Sequence, residues 1–275
     1  MLGYGVAVVV LLGAAVYGLF FHRTLRRRRV QARSVPHQWQ QWLLNDMALY
    51  RRLPDSERER LHHTLLLLLD EVAFYGCAGL TVTEPMKVLI AAHGALLVNG
   101  LSMDYYQDLR SILVYPGAYR AAVKWQDGVV AGHSEQDRLG ESWQSGRVIL
   151  SWQGLAREAA DPHSLSNVAL HEFAHQLDQV DGAADGAPPL ASGEAARHWQ
   201  EVFTDAWQRL RDHPGDSHNV IDPYGATNPA EFFAVVTETF FLDPHALQAQ
   251  EPDLYDCLSR FYRLSPTVWS EARQT

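Results

Sequence analysis

Cysteine is scarce. The 275 residues contain two, Cys77 and Cys257, too few for a disulfide framework and too far apart for a C-x-x-C metal site. They read as buried thiols of a reducing compartment. Acids are missing from the whole start of the chain: none occurs before Asp46, and residues 1–21 carry no charge of either sign. There is no internal repeat and no low-complexity tract.

The hydrophobic content of 47% is enough for a sizeable core, and the length suits one large or two small domains. The net charge of −9 is unevenly spread. Arg23, Arg26, Arg27, Arg28, Arg29 and Arg33 all precede the first acid, so residues 35–275 hold 17 bases against 32 acids, a balance of −15. So acidic a body argues against nucleic-acid binding.

The uncharged run MLGYGVAVVVLLGAAVYGLFF would form a helix of about 30 Å, the thickness of a bilayer's hydrocarbon core, with Tyr4 and Tyr17 near its ends. A signal peptide would carry positive charge before the run; here arginines follow it. The expectation is a retained single-pass anchor in the inner membrane (1–21), an Arg-rich juxtamembrane linker (22–37) that touches anionic headgroups, and a cytoplasmic body (38–270) by the positive-inside rule. The competing reading is a signal peptide cut near residues 22–34.

In the body, Trp39, Trp42, Leu43, Met47 and Tyr50 recur at helical spacing, Asp55 or Ser56 can cap a helix through LHHTLLLLLDEVAF, and Thr83-Glu84-Pro85 opens another, stopped by Asn99-Gly100. His62, His63 and His93 read as surface or core histidines. After Gly100 short strands are expected at 112–115, 128–131 and, most clearly, RVILSW (147–152). The fold class is therefore α+β, mainly helical (38–100), with a small mixed or antiparallel sheet in the 101–270 portion. An exposed RVILSW edge could bind a peptide through main-chain hydrogen bonds.

The chain centres on His171-Glu172-Phe173-Ala174-His175. On a helix begun by Ser164 or Ser166, residues i and i+4 share a face, so two imidazoles can hold one metal ion while Glu172 acts on its water. The extended pattern H-E-x-x-H-x-x-G-x-x-H is absent, because Asp178 and Asp181 stand at its later positions. A third donor then has to be a carboxylate from elsewhere. Asn228-Pro229-Ala230-Glu231 opens an apolar helix on which Glu231 and Glu238 lie two turns apart on one face; spacing does not choose between them. Asp178, one turn past His175, can orient a ligating histidine or face solvent.

ESWQSGRVILSW (141–152), ALHEFAHQLDQVDG (169–182), IDPYGATNPAEFFAVVTETFF (221–241) and, more weakly, TVTEPMKVLIAAHGALL (81–97) resemble the Mlc titration factor A family of gluzincin-type zinc peptidases. The likeness spans most of residues 50–265; residues 1–29 lie outside it. It implies a zincin-like peptidase domain with one Zn2+ held by His171, His175 and Glu231, Glu172 as catalytic base, Tyr224 near the metal, and Glu238 supporting a ligand. It further implies a peptide or protein substrate and, as the alternative function, sequestration of a transcriptional repressor.

Overall fold

The structure is a computed structural model and describes residues 13, 17, 18, 21–117, 146–213 and 219–269. Residues 21–31 form the continuous described part of helix α1. Helices α2 (His37–Asp46), α3 (Ala48–Arg52) and α4 (Asp55–Glu71) follow, then strand β1 (Ala73–Gly76), helix α5 (Glu84–Leu97), and strands β2 (Ser111–Tyr115) and β3 (Arg147–Ser151). The remaining helices are α6 (Trp152–Ala160), α7 (Val168–Asp178), α8 (Gly193–Asp212), α9 (Pro229–Leu242), α10 (Pro244–Gln250) and α11 (Pro252–Tyr262).

The sheet has three strands in the order β1-β2-β3, and both pairings are parallel. This corrects the expected mixed or antiparallel sheet. Parallel neighbours need a crossover rather than a tight turn, and α5 lies in the connection from β1 to β2. The leucine-rich helix also stops earlier than its composition suggested. At Val72 the backbone becomes extended, and Ala73 N–H donates to Arg110 O, so AFYG joins the sheet. The strand expected at 128–131 lies outside the described residues.

Among the described residues no helix is long and apolar enough to cross a membrane. That corrects the fold class expected above, which included such a helix: none is found among the described residues, and most of the run assigned to the anchor lies outside them. The arginines after that run have a local role. Arg26 Nε lies 2.9 Å from Asp70, Arg27 Nε 2.6 Å from Glu71, and Arg27 Nη1 3.0 Å from Asp104, while Val30 is buried. Helix α1 is thus clamped to the end of α4 by charge pairs on its inner face.

One continuous core runs from Val30 to Trp269. At its centre α5 meets α7. A Cβ on Gly94 would sit 2.7 Å from the Phe173 ring, so glycine is what permits this approach. The inner face of α8 supplies Trp199 and Phe203, which pack with Phe232, Phe233 and Phe261 of α9 and α11. Helix α9 is buried almost throughout, from Ala230 to Phe241; an all-round apolar helix is stable only inside a core. Two carboxylates in such a helix must therefore have partners.

Candidate metal centre

Helix α7 carries the histidine pair, and its start is held by three side chains. Asn167 is the N-cap, its Oδ1 accepting from Ala169 N–H at 3.1 Å and Leu170 N–H at 3.0 Å. Glu158 of α6 accepts from Val168 N–H at 2.9 Å, and Glu238 of α9 accepts from Asn167 N–H at 2.5 Å. The cap is thus Asn167 rather than Ser164 or Ser166. Phe173, Ala174 and Leu177 fasten the opposite face of the helix to the core.

Helix α9 begins at Pro229, with Asn228 Oδ1 accepting from Glu231 N–H at 2.9 Å. That places Glu231 in the first helical turn, where the macrodipole favours a negative charge. Glu231 Oε2 lies 2.9 Å from His171 Nε2 and 3.6 Å from His175 Nε2, and the two Nε2 atoms are 3.2 Å apart. His171, His175 and Glu231 form the group whose donor atoms converge closely enough to hold one metal ion. Ligands bound tetrahedrally at 2.0–2.1 Å sit about 3.3 Å from one another. The three observed separations bracket that value, so the donor triangle fits one face of a zinc tetrahedron.

Spacing left Glu231 and Glu238 equivalent; the structure separates them. Glu231 faces both imidazoles at Nε2. Glu238 lies behind His171, with Oε1 2.8 Å from its Nδ1 and Oε2 on Asn167 N–H. Accepting from Nδ1–H leaves the Nε2 lone pair directed at the shared point.

Electrostatics follows this placement. Burial alone would lower the basicity of His171, but hydrogen bonds to Glu231 and Glu238 override it and raise its pKa. Burial would likewise raise the Glu231 carboxyl, yet the two histidines hold it well below the usual carboxylate range. His175, fully buried, is pushed down to about 4, chiefly by burial.

Glu172 is half-buried on α7 beside the pair. Tyr224 stands on a turn over the site, set by Asp222 Oδ1 accepting its N–H at 2.8 Å. It is 47% exposed, and its ring centre is 6.0 Å from that of His171. Its phenol is pushed up to about 12, first by burial and then by the negative charges of Glu231 and Glu172. Asp178 is fully buried, and its Oδ2 accepts from Gly186 N–H at 3.1 Å, so its partner is the loop after α7. Burial raises its carboxyl to about 7. Sequence reasoning missed Asn167, Glu158 and Gly186; only Asn167 had a local signal, a capping residue next to the first apolar position of the helix.

A metallopeptidase is the class of protein that such a donor triangle, carried on one helix and closed by a second, belongs to. The chain is a member of the glucose-regulated metallo-peptidase M90 family, whose sequence profile matches residues 21–263. It is 36% identical over 273 residues to an uncharacterized protein, slr2042, of Synechocystis sp., covering 98% of this chain and 99% of that one. It is 34% identical over 236 residues to Mlc titration factor A of Yersinia pestis (strain Pestoides F), covering 83% and 85% respectively.

Proposed function

We propose that the protein is a zinc-dependent peptidase, with His171, His175 and Glu231 as the residues that would hold the metal. The observation that carries this reading is the triangle of 2.9, 3.2 and 3.6 Å between two imidazole nitrogens and one carboxylate oxygen. Zinc, when bound, supplies Lewis acidity, bringing the pKa of a water toward 7 and polarising a carbonyl.

The chain's own residues do the rest. Glu172 takes the proton of the attacking water and returns it to the leaving amine. Tyr224, held in its neutral form by a raised pKa, donates a hydrogen bond to the oxygen that gains negative charge. Glu238 keeps His171 in the tautomer that presents Nε2. Strand β3 borders α7, where Gln176 donates to Arg147 O. Its outer edge pairs with no other strand among the described residues, so an extended peptide can add along it, the backbone giving affinity without strict sequence demand.

Replacing Glu172 with Gln should leave the bound metal unchanged and reduce peptide hydrolysis by about 10²–10⁴-fold, measured by metal analysis beside turnover of a mixed peptide library. Turnover at the parent rate would remove Glu172 from the mechanism. Sequestration of a repressor, with the metal purely structural, has less support: a closed structural site is normally built from four protein donors, and three converge here among the described residues.

A further inference from the structure

The site depends on two helices from distant parts of the chain meeting at the right distance, since His171 and His175 lie on α7 and Glu231 on α9. One residue outside both helices touches the start of one and is held from the end of the other. Gly186 has φ +79°, in the left-handed region, and a Cβ there would lie 2.4 Å from Pro229 O. Pro229 is the first residue of α9, two positions before Glu231.

The same glycine is gripped from two further directions. Its N–H donates to Asp178 Oδ2 at 3.1 Å, and Asp178 is the last residue of α7, three past His175. Its carbonyl accepts from Trp199 Nε1–H of α8 at 3.0 Å. Both Asp178 and Trp199 are buried, at 0% and 3% exposure, so neither bond can be exchanged cheaply for one to water.

We infer that Asp178 and Gly186 are positioning residues that set the gap between the two metal-bearing helices, Asp178 anchoring the glycine to the end of α7 and the bare Cα letting the start of α9 close against it. This rests on the zinc reading above and concerns only the residues that shape the site. It gives the buried Asp178 carboxylate a role that the catalytic steps do not use.

The test is zinc affinity of the full chain, measured by competition with a chromophoric chelator. Gly186→Ala should bind zinc about 10–100-fold more weakly, the range seen when residues supporting metal ligands are altered. Gly182→Ala is the control. Gly182 is in the same loop with φ +90°, but has nothing within 4 Å of its Cβ position. It carries similar backbone strain without the contact and should keep the parent affinity. Equal losses in both variants, or none in Gly186→Ala, would overturn the inference.

If Gly186→Ala does not fold, Asp178 provides the second route. Asp178→Asn retains an acceptor for Gly186 N–H and should hold zinc nearly as the parent does, whereas Asp178→Ala should lose affinity as Gly186→Ala would. Parent-like binding by Asp178→Ala would also overturn it. Failure of the parent itself to bind zinc would instead remove the underlying peptidase reading, so the two failures are distinguishable.

Discussion

Two places in the molecule set one basic side chain between two carboxylates. At the metal centre His171 lies between Glu231 and Glu238, at 2.9 and 2.8 Å. At the amino-terminal end Arg27 lies between Glu71 and Asp104, at 2.6 and 3.0 Å. What differs is the base and the depth. A guanidinium never gives up its proton in a protein, and Glu71 holds that of Arg27 still more firmly, so this triad is a permanent clamp on a half-exposed surface. An imidazole can release a proton and offer a lone pair in its place. The triad around His171, nearly closed off from water, is therefore one that an ion can enter. Like charge patterns serve fastening in one place and exchange in the other.

The sharpest way to break the parallel is Glu231→Ala. It should weaken zinc binding well beyond the roughly 100-fold cost of losing a merely supporting residue, and peptide hydrolysis should vanish with the metal. Retained zinc at parent affinity in chelator competition would show that Glu231 is no ligand. Glu238→Gln should have a smaller effect. The His171 N–H and the Asn167 N–H face different oxygens of Glu238, and in the amide one of these becomes a donor NH2, so affinity should fall about 10–100-fold. Equal affinities for that variant and the parent would detach Glu238 from the site.

The surface triad should give the smallest change. Arg27→Ala should leave zinc affinity and turnover untouched and cost only about 1 kcal/mol, because its pairs are partly exposed and screened, lowering the melting temperature by about 2–4 °C for a chain of this size. Its pH dependence has a definite sign. Glu71 is depressed, chiefly by the Arg27 hydrogen bond, so the pair's contribution is present above the ordinary carboxylate range and is lost as pH falls from there through the depressed pKa of Glu71. The gap in melting temperature between parent and variant should close on acidification. A gap that stays constant from neutral to acid pH would mean that packing of the Arg27 stem, rather than its charge, holds α1 in place.

How much of this was legible beforehand depended on whether the information was local. The histidine pair needs only five residues of helix, and Asn228-Pro229 announces the start of α9 beside Glu231, so both halves of the donor triangle were readable. Spacing did not separate Glu231 from Glu238, because two turns of helix put both on one face; the family resemblance chose between them, and the position of α7 is the physical difference. Strand direction was equally hidden: SILVY and RVILS pair in parallel, a choice that residue preferences do not encode. The arginine run shows the opposite hazard. Beside an apolar stretch it suggested a membrane surface and gave no sign of its contacts within the fold, because Asp70 and Glu71, the partners of Arg26 and Arg27, lie 44 residues further on. Gly186 carried no signal at all, since its role lies in a dihedral angle and in a carbonyl more than forty residues away.

Strand β3 passes into α6 without a loop: Ser151 is both the last residue of the strand and the cap of the helix, its Oγ accepting from Gly154 N–H at 3.3 Å. A slip of one residue in the pairing of β3 with β2 would carry α6 along by about 3.3 Å, the rise of one strand residue, and it would turn every β3 side chain to the other face of the sheet. Glu158 would swing off Val168 N–H, and the start of the histidine helix would lose one of its three supports. Misalignment at the edge of the sheet would thus be felt at the start of the helix that carries His171 and His175.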